Sequence, residues 1–264
     1  MCVFGSKRYH KGGIKSEHAV FTNSLQASEM EFRQRLSSGG FADVYEGVFN
    51  NQTVAIKKMK TSTKNPTATQ EAFEAESALL GLNHPHVIHL IAAQREPVPI
   101  IIMEWIPQAQ NLQTLINQEQ VYPWRKYAQQ LVAAVTYLHQ NDVLHLDLKS
   151  ANVLVNTDRC CKVIDFGCSQ SASKPKKSTM QGTPAYRAPE LFQGKRPTTK
   201  SDVYSLAVTL WALKHQQLPY NGQNNDVIIY QVVAFRRRPS PDPEFETLWH
   251  SDPERRPEVD EIIF

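Results

Sequence analysis

Near residue 107 the texture of the sequence changes. Upstream, β-prone runs at 31–36, 44–49, 53–59, 87–93 and 99–105 are separated by turn residues, and Phe73, Glu76, Leu79 and Leu80 recur at helical spacing within 70–82. Downstream the period is mostly helical. Trp124, Tyr127, Ala128, Leu131, Val135 and Leu138 form one apolar face across 123–139, and 201–213 is apolar nearly all round, as a buried helix is. Strands first and helices later imply an α+β fold of two lobes, a small sheet-rich one with one helix and a larger, mainly helical one. The cleft between them is where a ligand is expected.

The turns are legible too. Asn50-Asn51 between two β-prone runs suits a tight hairpin, and residues 61–69 read as a polar connector. Residues 1–29 are rich in Gly, Ser, Lys, His and Asn, show no sustained period, and read as a flexible N-terminal tail.

Charge and cysteine usage narrow the partners. Across 264 residues, 29 Lys and Arg stand against 26 Asp and Glu, a net charge of +3, so a nucleic-acid partner is not expected. The longest apolar runs, such as 98–103, are too short to span a bilayer, and no membrane partner is expected. Cys2, Cys160, Cys161 and Cys168 make neither a C-x-x-C pair nor a zinc pattern, and without a secretory signal they read as reduced thiols of a cytoplasmic protein.

Three segments carry chemistry. Residues 36–44 place Gly39 and Gly40 in a turn between strands, where backbone N–H groups can approach phosphate oxygens; a plain hairpin loop is the other reading. Lys57 follows on an otherwise apolar strand, where burial is costly unless an anion meets the ammonium. Glu76 on the next helix is one such anion and Glu74 a competing one, and a surface lysine with a packed stem is the alternative. The third segment runs from His145 to Asn152 and on to Asp165-Phe166-Gly167. Asn152 and Asp165 are oxygen ligands of the kind Mg²⁺ accepts beside phosphate oxygens, Asp147 is suited to take a proton from a hydroxyl, and Lys149 to offset phosphoryl charge.

Together with Val54-Ala55-Ile56-Lys57, Ala188-Pro189-Glu190, Asp202 and Arg256-Pro257, these segments resemble the protein kinases over residues 31–264. The resemblance implies a bilobal kinase fold: an N-lobe at about 30–103, a hinge at about 104–107 and a C-lobe at about 108–264. It implies ATP and Mg²⁺ as cofactors, with Lys57 on the phosphates and paired to Glu76, and Asn152 and Asp165 on the metal. Leu36, Ser37, Gly39 and Gly40 would cover the nucleotide. Val44 and Ala55 would lie above the adenine and Leu154 below, Met103 at the rear, and the backbones of Glu104 and Ile106 at its edge. Lys149, with Thr183 holding it and Asp147, implies serine/threonine specificity.

Within the family, residues 145–149, 165–169, 186–190, 101–104 and 232–235 resemble the oocyte serine/threonine kinases that act as MAP kinase kinase kinases. This implies a monomeric enzyme with a MAP kinase kinase as its protein substrate and a place in meiosis. Leu146 stands where many kinases carry an arginine that pairs with an activation-loop phosphate, so activity is expected to depend little on phosphate in 168–183, despite Ser178 and Thr179. The basic runs 174–177 and 236–238 read as solvated loops, with docking of an acidic substrate as the alternative.

The chain also departs from the family. Ser37 and Ala42 stand at usual glycine positions, which implies weaker ATP binding. At the C-terminal end, a short helix is expected at 243–250 with Asp242 as cap and Phe245, Leu248 and Trp249 inward, then a helix from Pro257 that stops at Phe264. The lobe reads as shortened. Two other readings stay open: a pseudokinase that binds without turnover, and a Raf-like or mixed-lineage MAP kinase kinase kinase.

Overall fold

A computed structural model describes residues 20–22, 30–118, 122–176 and 182–264. The first lobe is built on strands β1 (Val20–Thr22), β2 (Met30–Ser38), β3 (Ala42–Phe49), β4 (Gln52–Met59), β5 (Leu90–Gln94) and β6 (Ile100–Glu104), with helix α1 (Pro66–Ser77). They form one sheet in the order β1-β5-β6-β4-β3-β2. All of its pairs are antiparallel except β1 with β5, which is parallel. Residues 20–22 therefore do not belong to a tail: their backbone extends the sheet edge, and the rest of the expected tail lies outside the described residues.

Asn50 and Asn51 turn β3 into β4 with φ of 50° and 61°, the left-handed pair that a two-residue hairpin needs and asparagine tolerates. Alternation along β4 then decides what faces what. Val54 and Ile56 join Phe49, Ala92, Ile100 and Ile102 on the outer face, while Ala55 and Met59 join the main core with Phe73 of α1, Leu90, Ile101 and Met103. Lys57 shares the inner face with Ala55 and Met59.

Helix α1 starts at Pro66, earlier than the apolar spacing places it, and its last residue is Ser77 rather than Leu82. Asn65 accepts the Ala68 N–H through its side chain, and Pro66 supplies the fixed φ of a first helical residue. An Asn-Pro start signal outweighed the polar look of 61–69.

The second lobe follows in chain order: β7 (Gln110–Asn111), α2 (Leu112–Asn117), α3 (Trp124–Gln140), β8 (Val143–Leu144), β9 (Val153–Val155), β10 (Cys161–Val163), β11 (Gln170–Ser171), α4 (Pro189–Phe192), α5 (Thr199–His215) and α6 (Asn225–Ala234). Tyr127, Ala128, Leu131, Val135 and Leu138 of α3 are buried as its periodicity requires, Trp124 only partly, and every residue of α5 from Ser201 to Leu213 is buried. Small ladders β10-β9-β7 and β11-β8 accompany these helices. The lobes are stitched at Val163, whose N–H donates to His86 O and whose carbonyl accepts from Ile88 N, at 2.9 and 3.0 Å.

Two expected helices near the C-terminus are absent. Residues 243–249 are a run of turns and 259–261 a single 3-10 turn. The burial expected of them is nevertheless met: Phe245, Leu248 and Trp249 are buried, and Phe264 sets its ring against Trp124 and Phe245. Asp242 works as a turn cap, its Oδ1 accepting the Glu244 N–H at 3.0 Å, but Lys214 and His215 also draw on its Oδ2. Side-chain ties of that kind hold a turn as well as a helix would. No helix among the described residues is long and apolar enough to cross a membrane.

Candidate active site

The inner face of β4 brings Lys57 to the cleft. Its Nζ donates to Glu76 Oε2 of α1 at 2.5 Å and to Asp165 Oδ1 at 2.9 Å. Glu74, the competing partner, points outward and pairs with Arg95 instead. Burial works against the Lys57 charge, but the Glu76 and Asp165 carboxylates outweigh it and raise the ammonium above its ordinary range. Burial raises the Glu76 carboxyl, partly offset by Lys57, and it opposes ionisation of Asp165, yet the Lys57 ammonium lowers the Asp165 carboxyl overall. One cation thus sits between one deeply buried carboxylate and one whose side chain is 45% exposed to the cleft.

Opposite this pair, four donors converge on the Asp147 carboxylate. Oδ1 accepts from the Thr183 N–H and hydroxyl, both at 2.9 Å, and Oδ2 from Lys149 Nζ at 2.7 Å and Asn152 Nδ2 at 3.1 Å. Lys149 also donates to Thr183 Oγ1 at 2.8 Å, so Asp147, Lys149 and Thr183 form a closed triangle. The loop under Asp147 is pinned from below. Fully buried Asp202 of α5 accepts the His145 and Leu146 N–H groups at 2.8 Å each, the latter from a left-handed residue at φ 63°. His145 is itself fixed, accepting the Asp147 N–H on Nδ1 and donating from Nε2 to Ile164 O, with its ring against Phe166.

Whether a Mg²⁺–nucleotide fits can be asked of the donors. Asn152 spends only its amide nitrogen, on Asp147, and Asp165 spends Oδ1 on Lys57; Asn152 Oδ1 and Asp165 Oδ2 make no hydrogen bond among the described residues. No group of three or more His, Cys, Asp and Glu that could cage a metal exists among those residues. Two hard oxygens without a cage suit an ion that arrives with phosphate oxygens completing its shell. At the turn after β2, a Cβ added to Gly40 would meet nothing within 4 Å, and one on Gly39 only the Ala42 carbonyl at 3.5 Å. The chain's own packing does not require glycine there, so what a side chain would obstruct is an approaching group. The residues fit.

The walls fall into place around this space. Ala55 lies opposite Met103, and Val44 opposite Lys57, in the β-ladders. Met103 and Ala55 are nearly buried, whereas Val44 and Leu154 are half-buried, and Leu36 is exposed above them. In the connection after β6 the Glu104 carboxylate is occupied by Lys162 and the His89 N–H, while the Ile106 N–H has no partner among the described residues.

Sequence reasoning overlooked three contributors. Lys60 Nζ donates to Ser38 Oγ at 3.1 Å and to Gly39 O at 2.7 Å, tying the glycine turn down to β4. His139 donates to Asp202 at 3.0 Å. Asp142 accepts from Ser171 and from the Ser173 N–H, securing β11. Their signal was weak: each is a polar residue of common type whose partner lies far away in sequence. Ser178 and Thr179 lie outside the described residues.

The sequence profile of the protein kinase domain matches residues 30–263. The chain is 38% identical over 232 residues to "Serine/threonine-protein kinase mos" of Patiria pectinifera, covering 81% of this chain and 65% of that protein. It is 33% identical to the mos kinase of Xenopus laevis, covering 91% of this chain and 76% of that one, and 35% identical to the proto-oncogene mos kinase of Sus scrofa, covering 82% and 70%. It thus spans just under two thirds of the Patiria relative. The chain therefore belongs to the protein kinase family and, within it, to the Mos-like serine/threonine kinases.

Proposed function

We propose that this chain is an active serine/threonine protein kinase that transfers the γ-phosphoryl group of ATP to protein Ser or Thr, acting in the cytoplasm on a MAP kinase kinase. The observation that carries the reading is the Asp147 carboxylate held by Thr183, Lys149 and Asn152, opposite a lysine ammonium fixed by Glu76. A catalytic base needs a fixed direction as much as basicity, and donors on both oxygens supply it. Similarity to serine/threonine kinases named mos supports transfer to Ser or Thr, and the resemblance of residues 145–149, 165–169 and 186–190 to the oocyte kinases supports the MAP kinase kinase substrate and a place in meiosis. The free thiols of Cys160, Cys161 and Cys168 support a reducing compartment.

In this reading Asp147 accepts the proton of the acceptor hydroxyl. Lys149, already bridging Asp147 and Thr183, offsets charge on the phosphoryl oxygens, and Thr183 keeps both in register. Lys57 orients the phosphates, with Glu76 preventing it from swinging away. Asn152 Oδ1 and Asp165 Oδ2 would hold Mg²⁺, which supplies positive charge to the phosphate oxygens. Ile106 N–H and the Glu104 carbonyl would meet the adenine edge, Val44, Ala55 and Leu154 would sandwich the ring, and Met103 would close the rear. Leu36, Ser37, Gly39 and Gly40 would cover the phosphates.

Radiolabelled phosphate transfer from ATP to a kinase-dead MAP kinase kinase tests this, comparing the wild type with Asp147→Asn and Lys57→Met. Transfer to Ser or Thr by the wild type and its loss in both variants are expected. Nucleotide binding without transfer would establish the pseudokinase reading instead, and transfer chiefly to tyrosine would overturn the specificity.

A further inference from the structure

The basic run 236–238 does not behave as one unit. Arg238 is used internally: its guanidinium donates to Trp249 O at 2.8 and 2.7 Å and to Ser251, and lies over the Tyr204 ring. Arg236 and Arg237 are exposed, and neither guanidinium has an ion pair or hydrogen bond among the described residues. Arg236 is left-handed at φ 53°, which turns the run sharply off the end of α6.

The two most exposed aromatic side chains among the described residues lie on the same segment. Tyr230 is 62% and Phe235 67% exposed, and their rings meet edge to face with centroids 5.3 Å apart. With Val227, Asp226, Gln231 and Arg237 they line a groove of about 480 Å³. Gln231 Oε1 is buried at the groove and has no hydrogen-bond partner. The exposed Arg237 sets the charge of the rim, and two rings kept in water beside a buried, orphaned acceptor are costly features unless something covers them.

Position indicates what does. The buried side of α6, Ile228 and Val232, packs with Tyr220 against Ala185 of the turn that follows Thr183. The groove is thus on the far side of α6 from Ala185, two residues after the Thr183 that holds Asp147.

We propose that the outer face of α6, with Tyr230, Phe235, Arg236 and Arg237, is a docking surface for the protein substrate, recognising a surface segment that pairs carboxylates with an apolar side chain. This rests on the kinase reading above and adds how the folded substrate is selected. Against the single Asp226 carboxylate, the two guanidiniums leave this face net positive: carboxylates of the partner satisfy it, a basic segment is repelled, and the apolar side chain enters between the rings. Acceptor-site contacts then need not carry the whole affinity, since the second contact raises the local concentration of the hydroxyl.

The test uses the full chain, a kinase-dead MAP kinase kinase as folded substrate, and a short peptide containing that substrate's acceptor serine. Tyr230→Ser/Phe235→Ser and Arg236→Glu/Arg237→Glu change only exposed side chains. Both variants are expected to phosphorylate the peptide as the wild type does, with KM for the folded substrate raised about tenfold. Biolayer interferometry of the folded substrate should show the same loss of binding, and the salt sensitivity of wild-type binding should vanish in the arginine variant. Unchanged binding and unchanged KM in both variants would overturn the proposal. So would a wild-type dimer by sedimentation that the ring variant splits, because the face would then belong to a second copy. An inert wild type would sink the kinase reading alone, since the binding measurement still decides the docking surface.

Discussion

Asp202→Asn offers a sharp perturbation of the site because it changes one atom's chemistry and almost no volume. The carboxylate accepts three hydrogen bonds: His145 N–H and His139 Nε2 on Oδ2, and Leu146 N–H on Oδ1. The amide keeps one acceptor oxygen. If that oxygen stays toward His145 and His139, its NH₂ faces the Leu146 N–H, so a charge-assisted bond is lost and two donors confront each other in a fully buried place. Losing a hydrogen bond to a charged group costs about 1.5–3 kcal/mol, and the orphaned donor brings the total to roughly 3 kcal/mol. At this chain length that corresponds to a melting temperature lower by about 6–12 °C. Leu146 is left-handed and immediately precedes Asp147, so kcat should fall as well, while KM for ATP moves little because Lys57 and Met103 sit in the other lobe.

The pH dependence has a definite sign. Burial works against the Asp202 charge, but the hydrogen bond and charge of His139, with His145 and the Leu146 N–H, lower the carboxyl below its ordinary 3.8. A depressed folded pKa makes the ion's stabilisation complete above the unfolded value and lost only as pH falls through the folded one. The stability gap between wild type and Asp202→Asn, measured by urea unfolding, should therefore be flat from pH 7 down to about 4.5. A gap already closing at pH 6 would mean that burial had raised the carboxyl, and equal unfolding midpoints with equal kcat would refute the account altogether.

Other consequences are as direct. Arg256→Met leaves Glu190 buried without its bidentate partner and frees the Lys200 and His250 carbonyls, so unfolding should become easier by about 3–5 kcal/mol, read from denaturant midpoints. Lys60→Met releases the Gly39 carbonyl and Ser38 hydroxyl from β4; KM for ATP should rise several-fold with kcat nearly unchanged and Lys60→Arg restoring it, whereas an equal KM would show the tie to be idle. With Leu146 unable to grip a phosphate, phosphatase-treated enzyme should keep its activity, and abolition of activity in still-folded protein would remove the idea.

Much of the site was readable before any coordinates existed because its parts lie close together along the chain. His145, Asp147, Lys149 and Asn152 occupy a single loop, and a loop that concentrates two charges and an amide between short apolar runs has few other uses. Helix α3 and helix α5 were readable for a related reason: their apolar spacing is a local consequence of which face is buried. The choice of Glu76 over Glu74 was not readable with the same certainty. Both lie on α1, and only the packing of Phe73 and Ala72 into the core turns Glu76 inward and leaves Glu74 to Arg95.

What the sequence determined by itself, then, was the succession of a strand-rich part and a helical part, the Asn-Asn hairpin and the inventory of reacting groups. Each depends on interactions within a few residues. Tertiary structure alone decided that Val20–Thr22 adds a sheet edge, that 243–249 stays a run of turns, that Asp202 reaches two N–H groups 56 and 57 residues away, and that the half-buried Arg238 is tied to Trp249 O while Arg236 and Arg237 face water. Those outcomes hinge on partners distant along the chain, where neither periodicity nor capping carries a signal, and a polar side chain's role is set by which of them the fold brings within about 3 Å.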